Sequence, residues 1–580
     1  MIDFIARANR YADAVLSGRI LACKWVKAAC RRYLDDLERQ ETDWPYRLDP
    51  DAGTRICEFL QLLPHVEGEW ARPIWVDGFQ QYRKLDLEDW QVFGLVNIFG
   101  WLHKESGLRR FRRAYEEVAR KNAKSTKAAG VALYMLGADG EPGAQVYTFA
   151  TKKEQAKIVW ATAKAMVERE PGFGELGVET NTGSIYCSDT NSKFLPLARD
   201  HGSLDGLNTH AFVADELHAQ RERGLYDVLD SSTGARSQPL GYAITTAGFD
   251  RTGICYEQRT YACKILNATL LKHGGMGYKV EGDSVEDDTF FAIIYTLDAG
   301  DDWQDESVWI KSNPNLGVSV KLDDMRAACR KATSMLSARN EFLTKRLNVW
   351  VNAATAWMNM LQWDACSDPS LRLEQFRGEQ CWIGMDLAEK NDYAALVLVF
   401  RRAEDYYVFP RFYLNRFAAE ESGNAQLSGW EAEGWVRINE GNVTDFEQIR
   451  ADLRDFQRMF DLLEVDFDPA KAMYFATTLL DEGLPMTEIR QNGAFFTQPV
   501  IHTENLVLEG KLHFDGNPAL TWMVSNVVIQ TSSYTGLKHP TKETEANKID
   551  GPVAMFMGLG RAMVADTSHT QLFVNLNEMA

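Results

Sequence analysis

The spacing of apolar positions divides the chain into a helical beginning and two regions that mix strands and helices. Apolar residues recur at helical spacing between residues 20 and 37, and residues 52–63 predict a second helix. From about residue 80, short β-rich runs such as residues 145–150 alternate with helical stretches such as residues 153–168. This alternation predicts an α/β fold with a mostly parallel sheet and helices on both faces.

A second series of strands begins near residue 381. Apolar strands at residues 381–387 and 391–400 are joined by a short polar turn, and the order of the strands is typical of an RNase H-like sheet. Thr444 is predicted to cap the N-terminus of a helix that runs to about residue 463. The next strand ends in Asp468, and the proline that follows is well placed to open another helix.

Length and composition narrow the class of protein. A chain of 580 residues is long enough for roughly two to four domains, and it has no apolar stretch of about 18 residues that would predict a membrane span. The net charge of −19 argues against a protein that coats nucleic acid along its whole surface. The nine cysteines are scattered and form no C-x-x-C pair, which indicates a reducing compartment and argues against a structural zinc site.

The densest basic cluster is residues 109–113, where four arginines surround Phe111. Two interpretations stay open from the sequence. The cluster is either a solvated helix face or a contact to DNA or phosphate.

Residues 118–126 resemble a phosphate-binding loop whose glycines have been replaced. In the pattern G-x-x-x-x-G-K-[ST], backbone N–H groups cradle phosphates, the lysine reaches the terminal phosphates and the hydroxyl binds magnesium. Val118 and Ala123 stand at the glycine positions, and Lys124 and Ser125 at the lysine and hydroxyl positions. The pattern alone also fits an ordinary helix start. The predicted nucleotide-binding residues of this loop are Arg120, Lys121, Asn122, Ala123, Lys124, Ser125 and Thr126.

Two further elements suit a nucleotide-hydrolysing site. Residues 210–216 form an apolar strand that ends in Asp215 and Glu216. Asp215 is predicted to hold magnesium, and Glu216 to orient and deprotonate the attacking water. Upstream of the loop, Gln91 is predicted to bind adenine, because its amide group both donates and accepts hydrogen bonds.

Residues 242–248 are a third strand that ends in Thr245 and Thr246, followed by a small turn. This pair is predicted to sense the terminal phosphate and to couple hydrolysis to movement. An arginine finger is expected at the same phosphate, supplied by this chain or by a neighbouring subunit. Arg199 and Arg223 are the candidates, and we favour Arg199.

Three aspartates in the second half of the chain predict a nuclease site. Asp386 and Asp468 follow strands, and Asp550 lies at the entry to a helix. Three carboxylates on separate elements suit two Mg²⁺ or Mn²⁺ ions, which activate water and stabilise the leaving oxygen of a phosphodiester. Asp466 would share the face of Asp468 but sit deeper in the sheet, so it ranks lower, and Asp392 is a candidate outer-shell acid.

With these elements in this order, the chain resembles the large terminase subunit of tailed double-stranded DNA phages. The resemblance covers nearly the whole chain, although many members of the family have glycine where this chain has Ala123. The segments that carry it are residues 17–23, 90–91, 119–125, 215–219, 313–317 and 548–554.

The resemblance implies a motor that cuts concatemeric viral DNA and pumps it into an empty procapsid through the portal, using ATP. Its expected partners are double-stranded DNA, the portal protein, a small terminase subunit and further copies of the chain in a ring, commonly a pentamer. It is expected in the host cytoplasm and transiently at the procapsid, not in a membrane or in the mature virion. The expected domains are an N-terminal helical appendage (1–75), a P-loop ATPase (76–345), a linker (346–375) and an RNase H-like nuclease (376–580).

Two alternatives remain open from the sequence. One is a helicase-like DNA-repair or defence ATPase fused to a nuclease, which would need further helicase motifs after Gly248, and no clear ones follow. The other is a nonenzymatic assembly protein with a degenerate nucleotide site.

Overall fold

The structure is a computed structural model, and the chain divides into two compact units, residues 1–351 and 352–580. The structure describes residues 2–149, 153–197, 206–220, 223–249, 253–280, 282–351, 357–388, 392–422, 424, 426–532, 535–542 and 547–565.

The first unit is a mostly parallel sheet flanked by helices. Its helices are α1 (Phe4–Leu16), α2 (Lys24–Arg39), α3 (Pro50–Leu62), α4 (Asp89–Gly100), α5 (Lys124–Gly137), α6 (Lys153–Arg169), α7 (Gly172–Glu175), α8 (Gly224–Ser231), α9 (Ile254–Lys272), α10 (Leu322–Ser334) and α11 (Leu336–Glu341). Its strands are β1 (Tyr46–Leu48), β2 (Ile74–Val76), β3 (Phe79–Gln81), β4 (Trp101–His103), β5 (Arg113–Glu117), β6 (Gln145–Phe149), β7 (Val178–Thr180), β8 (Ile185–Cys187), β9 (Ser192–Leu197), β10 (Thr209–Asp215), β11 (Leu240–Thr245) and β12 (Phe290–Ile294).

Among the described residues, the large sheet of this unit has the strand order β12-β5-β11-β10-β6-β9-β8-β7. The strands from β12 to β9 run parallel, while β8 and β7 add an antiparallel edge. The predicted parallel sheet is therefore confirmed. Since parallel strands end at the same edge, β5, β10 and β11 bring their carboxyl ends together there.

The N-terminal helices share an apolar core with the sheet. The hydroxyl groups of Tyr11 in α1 and Tyr295 lie 3.4 Å apart, and the Cys23 thiol donates to the carbonyl of Ile294 at the end of β12. The predicted boundary at residue 75 stays a prediction. What the contacts show is that the helices before it complete the core of the sheet.

Two arginines of the cluster at residues 109–113 form buried ion pairs within the protein. For these two, neither the solvated helix face nor the DNA contact is correct. The Arg110 side chain is fully buried and pairs with Asp36 at 2.7 Å, and Arg109 is buried against Asp139 at 2.6 Å. Burying arginine requires such partners, because an unpaired charge is costly away from water.

β5 is buried although it carries two adjacent glutamates, and their side chains point to opposite faces of the sheet. On one face Glu116 pairs with Lys127 of α5 at 2.7 Å and accepts from the Tyr242 hydroxyl. On the other face Glu117 accepts from the Tyr115 hydroxyl at 2.6 Å. These ion-pair and hydrogen-bond partners explain how a strand with two adjacent glutamates can lie in the interior of the sheet.

Glu117 has further partners on its face of the sheet. The Trp350 indole N–H donates to it at 3.2 Å, the Asn348 amide donates at 3.3 Å, and the Arg259 guanidinium lies 3.4 Å away. Asn348 also accepts from the backbone N–H of Ala247, just after β11. The residues near 348, which the sequence analysis assigned to the start of a linker, therefore make contacts within the core of the first unit.

The second unit is built on a mixed sheet. Its helices are α12 (Met360–Ala365), α13 (Arg416–Glu421), α14 (Leu427–Ala432), α15 (Phe446–Met459), α16 (Pro469–Asp481), α17 (Gly493–Glu509), α18 (Pro518–Asn526) and α19 (Asp550–Val564). Its strands are β13 (Gln380–Asp386), β14 (Ala394–Arg402), β15 (Asp405–Asn415), β16 (Val436–Asn439), β17 (Asp461–Phe467), β18 (Met486–Glu488), β19 (Leu512–Phe514), β20 (Val527–Thr531) and β21 (Lys538–Lys542).

Within the described part of this unit, the strand order is β16-β15-β14-β13-β17-β18, and β19 pairs with β15. β13, β14 and β15 are antiparallel neighbours, and β17 then pairs with β13 in parallel. The predicted opening hairpin is confirmed. The predicted cap at Thr444 is wrong by one residue, because the Asp445 carboxylate accepts from the N–H groups of Glu447 and Gln448.

Helix α19 lies unusually close to β13. A Cβ atom on Gly384 would come within 1.8 Å of the Ala554 carbonyl oxygen, and one on Gly558 within 3.1 Å of the Gly384 nitrogen. Glycine at both positions therefore allows the helix backbone to rest directly on the strand. This contact fixes the height of α19, and hence of its first residue, above the sheet.

Candidate active sites

The loop between β5 and α5 has the backbone of an anion-binding turn. Lys121 and Ala123 have left-handed φ values of 71° and 57°, and α5 begins at Lys124. The free N–H groups at the start of a helix point at an anion that binds there. Lys124 is buried, and its Nζ donates to the carbonyls of Val118 and Ala119 at 3.2 Å each. These bonds hold the lysine across the loop that is predicted to bind the phosphates of the nucleotide.

A segment distant in sequence supports this loop from behind. The Asn122 amide donates to the carbonyl of Ala119 at 3.0 Å and to Asn313 Oδ1 at 3.1 Å. The backbone N–H of Asn315 donates to Asn122 Oδ1, and the Ser319 hydroxyl donates to the carbonyl of Lys121. The sequence identified residues 313–317 only as one of the segments that carry the family resemblance. Two asparagines flanking a proline were the available signal of a more specific role.

Ser125 and Asp215 meet at the carboxyl edge of the sheet. The Ser125 hydroxyl donates to Asp215 Oδ2 at 2.8 Å. The other carboxylate oxygen, Oδ1, is buried and has no hydrogen-bond partner among the described residues. Burial raises the pKa of Asp215 to about 6. A hydroxyl beside an unsatisfied carboxylate oxygen is a donor set that fits Mg²⁺, which binds oxygen ligands.

Glu216 follows in a left-handed conformation, with φ of 54°. One carboxylate oxygen lies 3.9 Å from Lys124 Nζ, and the other lies 3.2 Å from His218 Nδ1. Burial works to raise the pKa of Glu216, but the positive charge of Lys124 and other nearby groups holds it below its usual value. The carboxylate is therefore ionised near neutral pH, as a general base must be.

The predicted coupling pair lies between these groups, because β11 runs between β5 and β10. The carbonyl of Thr245 accepts from the backbone N–H of Val118, at the start of the loop. The hydroxyl oxygens of Thr245 and Thr246 each lie 3.2 Å from His218 Nδ1. The structure thus brings the loop, the acidic strand and the two threonines together.

Other predicted nucleotide-site residues have different surroundings. Gln91 is buried, and its amide oxygen accepts from the backbone N–H of Glu88 in a capping box at the start of α4. Arg120 and Lys121 are exposed, and Thr126 lies half-buried in the first turn of α5.

Of the two candidate arginine fingers, the structure describes only Arg223. Arg223 is a surface residue that pairs with Asp227 at 2.7 Å and with Glu257 at 3.0 Å. Arg199 lies outside the described residues.

In the second unit, two of the predicted aspartates end neighbouring parallel strands. Met385 pairs with Phe467, so Asp386 at the end of β13 is level with Asp468 just after β17. Asp386 is buried and accepts from the Gln491 amide at 3.1 Å. Asp468 caps α16 by accepting from the backbone N–H of Ala470.

Asp550 is the first residue of α19 and is buried. Asp386 shares the sheet face of Gly384, because side chains alternate along a strand, and this is the face on which α19 rests. Asp466 shares that face with Asp468, being two residues away. Asp466 is fully buried, and neither of its carboxylate oxygens has a hydrogen-bond partner among the described residues.

Asp386, Asp466 and Asp468 therefore lie on one face of the sheet, the face on which α19 rests. Burial raises the pKa of Asp466 well above its usual value, and the Arg561 guanidinium is 4.0 Å away. Asp392 pairs with Lys548. Across the described residues, no three His, Cys, Asp or Glu side chains come close enough together to hold a metal ion. The oxygen chemistry fits Mg²⁺ or Mn²⁺, and Asp466 is a further candidate that the sequence ranked lower.

Two family models match the chain. The terminase large subunit ATPase domain matches residues 89–264, and the terminase large subunit endonuclease domain matches residues 284–566. Protein YmfN of Escherichia coli (strain K12) is 35% identical over 426 residues, covering 71% of this chain and 89% of the relative. The large terminase subunit of Enterobacteria phage HK97 is 25% identical over 456 residues, covering 77% and 85%.

The chain is also similar to solved structures. The crystal structure of the HK97 bacteriophage large terminase covers 88% of this chain and 99% of that chain, at 24% identity and a TM-score of 0.43. The structure of a large terminase from a thermophilic bacteriophage covers 77% and 93%, at 12% identity and a TM-score of 0.28.

The matched domains define an enzyme with an ATPase and an endonuclease in one chain. The chain belongs to the terminase large subunit family, whose members act in packaging DNA. ATP and a divalent metal ion are accordingly the cofactors of its two activities. None of the described helices is both long and apolar enough to cross a membrane.

Proposed function

We propose that this chain cuts concatemeric viral DNA with the nuclease of its second unit and drives it through a portal into a procapsid with the ATPase of its first unit. The contact between Ser125 and Asp215, beside the ionised Glu216, is the observation that carries the ATPase part of the proposal. A hydroxyl, a magnesium-binding acid and a general base are the groups that nucleotide hydrolysis requires.

In the ATPase, backbone N–H groups of the loop from Arg120 to Thr126 hold the phosphates, and Lys124 neutralises the terminal ones. Ser125 and Asp215 hold Mg²⁺, which neutralises charge that develops on the phosphates. Glu216 orients and deprotonates the attacking water.

Three further roles belong to this site. Gln91 recognises adenine, for which its Oε1 has to leave or share the bond to Glu88. Thr245 and Thr246 couple hydrolysis to movement of DNA. An arginine, Arg199 or Arg223, acts at the terminal phosphate, and the exposed position of Arg223 suits supply to a neighbouring subunit.

In the nuclease, Asp386, Asp468 and Asp550 hold two divalent ions. Such ions activate water and stabilise the leaving oxygen of a phosphodiester. Asp386 and Asp468 support this role because they lie level at the ends of neighbouring strands. Gln491, which donates to Asp386, orients that carboxylate.

The partners in this function are double-stranded DNA, a portal protein, a small terminase subunit and other copies of the chain in a ring, by expectation a pentamer. The acts of cutting and pumping take place in the host cytoplasm and at the procapsid. The net charge of −19 suits a motor that holds DNA phosphates locally and briefly.

The test separates the two activities with one substitution in each unit. We expect Glu216→Gln to abolish ATP hydrolysis while metal-dependent cleavage of plasmid DNA continues, and Asp550→Asn to do the reverse. Matched controls are Glu175→Gln and Asp461→Asn, which change exposed acids. If each substitution removed both activities, or neither, the two-site assignment would be wrong.

Translocation requires its own assay. With portal-bearing procapsids and ATP, the wild-type chain should protect DNA from added nuclease, and the Lys124→Ala variant should not. Protection by Lys124→Ala would contradict the assignment of Lys124 to the phosphates.

A further inference from the structure

A lysine from outside the predicted motifs reaches the hydrolysis site. Lys345 lies in a π-helical turn, Phe342–Arg346, a geometry that is frequent at functional sites. Its Nζ is 2.7 Å from His218 Nε2, and its backbone carbonyl accepts from the N–H of Arg120 in the phosphate loop. Neither Lys345 nor His218 has a role in the function proposed above.

The contact between these two side chains fixes the proton of the imidazole. A lysine ammonium group donates hydrogen bonds and accepts none, so Nε2 of His218 must be the acceptor. Nδ1 of the neutral ring then carries the proton. This N–H faces Glu216 Oε2, Thr245 Oγ1 and Thr246 Oγ1, each at 3.2 Å.

The surroundings keep both groups in these states near neutral pH. Burial lowers the pKa of His218 to about 3, helped by the positive charges of Lys345, Lys124 and Arg120, although Glu216 opposes them. Burial also lowers the pKa of Lys345 to about 8, so the lysine is still charged at pH 7. The pair is therefore a neutral imidazole and a charged ammonium group.

We propose that His218 and Lys345 are positioning residues for ATP hydrolysis: Lys345 holds His218 in the tautomer whose Nδ1–H orients the carboxylate of Glu216. The proposal rests on the role of Glu216 as the general base. Because the same N–H also faces Thr245 and Thr246, the carboxylate and the coupling pair compete for one donor. The position of the base is thereby tied to the end of β11.

Lys345 is also close enough to the loop to act on the nucleotide directly, and the experiment has to distinguish the two roles. Asparagine at position 218 can present its amide N–H where Nδ1–H lies, without needing Lys345. Glutamine instead presents its amide near the position of Nε2. Comparing the two substitutions therefore distinguishes the hydrogen bond that residue 218 donates to Glu216 from the one that it accepts from Lys345.

We would measure the ATPase kcat at pH 7 and the affinity for a fluorescent ATP analogue with the full-length chain. Lys345→Met and His218→Gln are each expected to lower kcat by about 10- to 100-fold, with the affinity unchanged within about threefold. His218→Asn should stay within about fivefold of wild type, and Lys345→Met should cost less than about threefold in that background. Lys331→Met, at an exposed lysine of α10, is the control.

Two results would overturn the proposal. If Lys345→Met cost as much in the His218→Asn background as in wild type, the lysine would act on the nucleotide and not through His218. If His218→Asn were as slow as His218→Gln, the side chain would be filling space and not donating. Glu216→Gln tests the proposed function itself. Full ATP turnover by that variant would refute the role of Glu216 as the general base, on which both proposals depend.

Discussion

The charge of Glu116 is buried on one face of β5, where the Lys127 ammonium group lies 2.7 Å away. Both side chains are about 1% exposed, so water cannot replace either partner. Removing one member of such a pair leaves an uncompensated charge, which costs far more than the pair contributes when intact. This contact is therefore a sensitive point in the strand that leads to the phosphate loop.

We expect Lys127→Met to lower the free energy of unfolding of the first unit by about 3 to 5 kcal/mol. The double variant Glu116→Gln, Lys127→Met should recover much of that loss, because it buries no unpaired charge. Urea unfolding followed by tryptophan fluorescence measures the stability of the single and the double variant. Lys193→Met, at an exposed lysine, is the control. Equal stability of the single and double variants would show that the charge of Glu116 is not the cause.

Ala123 has a backbone conformation that glycine adopts more easily, with φ of 57°. The left-handed conformation costs an L-residue roughly 1 to 2 kcal/mol. Glycine avoids this cost, but part of the gain in stability is offset because glycine has more conformational freedom in the unfolded chain. We expect Ala123→Gly to bind ATP at least as tightly as wild type, and the β-branched Ala123→Val to bind it more weakly. Titration with a fluorescent ATP analogue measures this, and tight binding by Ala123→Val would mean that the loop does not keep this φ.

The residues that the sequence identified share a property, namely that they lie at the ends of strands or the starts of helices. Lys124, Asp215 and Asp468 were visible because a change from apolar to polar residues marks such a boundary. His218 and Lys345 were missed because the contact joins positions 127 apart and depends on a π-helical turn. The partners of Glu117 were missed for the same reason, since Asn348 is 231 positions away.

At the scale of elements, the approach of α19 to β13 determines where Asp550 stands. Gly384→Ala would place a methyl group within 1.8 Å of the Ala554 carbonyl, so the helix has to move. We expect a destabilisation of the second unit by about 1 to 3 kcal/mol or more and a loss of metal-dependent DNA cleavage, with ATP hydrolysis retained. The control is Gly429→Ala, where a Cβ atom meets nothing within 4 Å. Normal cleavage by Gly384→Ala would show that the height of α19 does not set the nuclease geometry.

At the scale of the whole molecule, the periodicity of the sequence was enough for the α/β class, the parallel sheet and the opening hairpin of the second unit. The periodicity could not predict that Arg109 and Arg110 are buried. Their partners, Asp139 and Asp36, are distant in sequence, so no local pattern indicates the ion pairs. The assignment of the three aspartates to two metal ions stays a prediction.

All nine cysteines lie in the described part of the chain and are free thiols, and eight of them are buried. Burial raises the pKa of Cys23 to about 11 and that of Cys57 to about 12. A thiol with a pKa of about 11 is a thiolate in only about one molecule in a thousand at pH 8, and the thiolate is the form that reacts.

We therefore expect the native chain to react slowly with a thiol reagent at pH 8 and to react at nine sites once it is unfolded in urea. Cys263, which is partly exposed, should be the first to react in the native state. Raising the pH to about 9 should accelerate the native reaction, because more thiolate forms as the pH approaches these raised pKa values. Rapid native labelling at several sites would contradict the buried positions.

The two faces of β5 also limit how this chain can be recombined with its relatives. Glu116 depends on a lysine in the helix after it, and Glu117 on residues from α9 and from the segment near 348. A graft of the phosphate loop that carried the strand but left those partners behind would bury two orphaned carboxylates. Chimaeras between relatives should therefore tolerate crossovers only where all three partner segments come from the same parent.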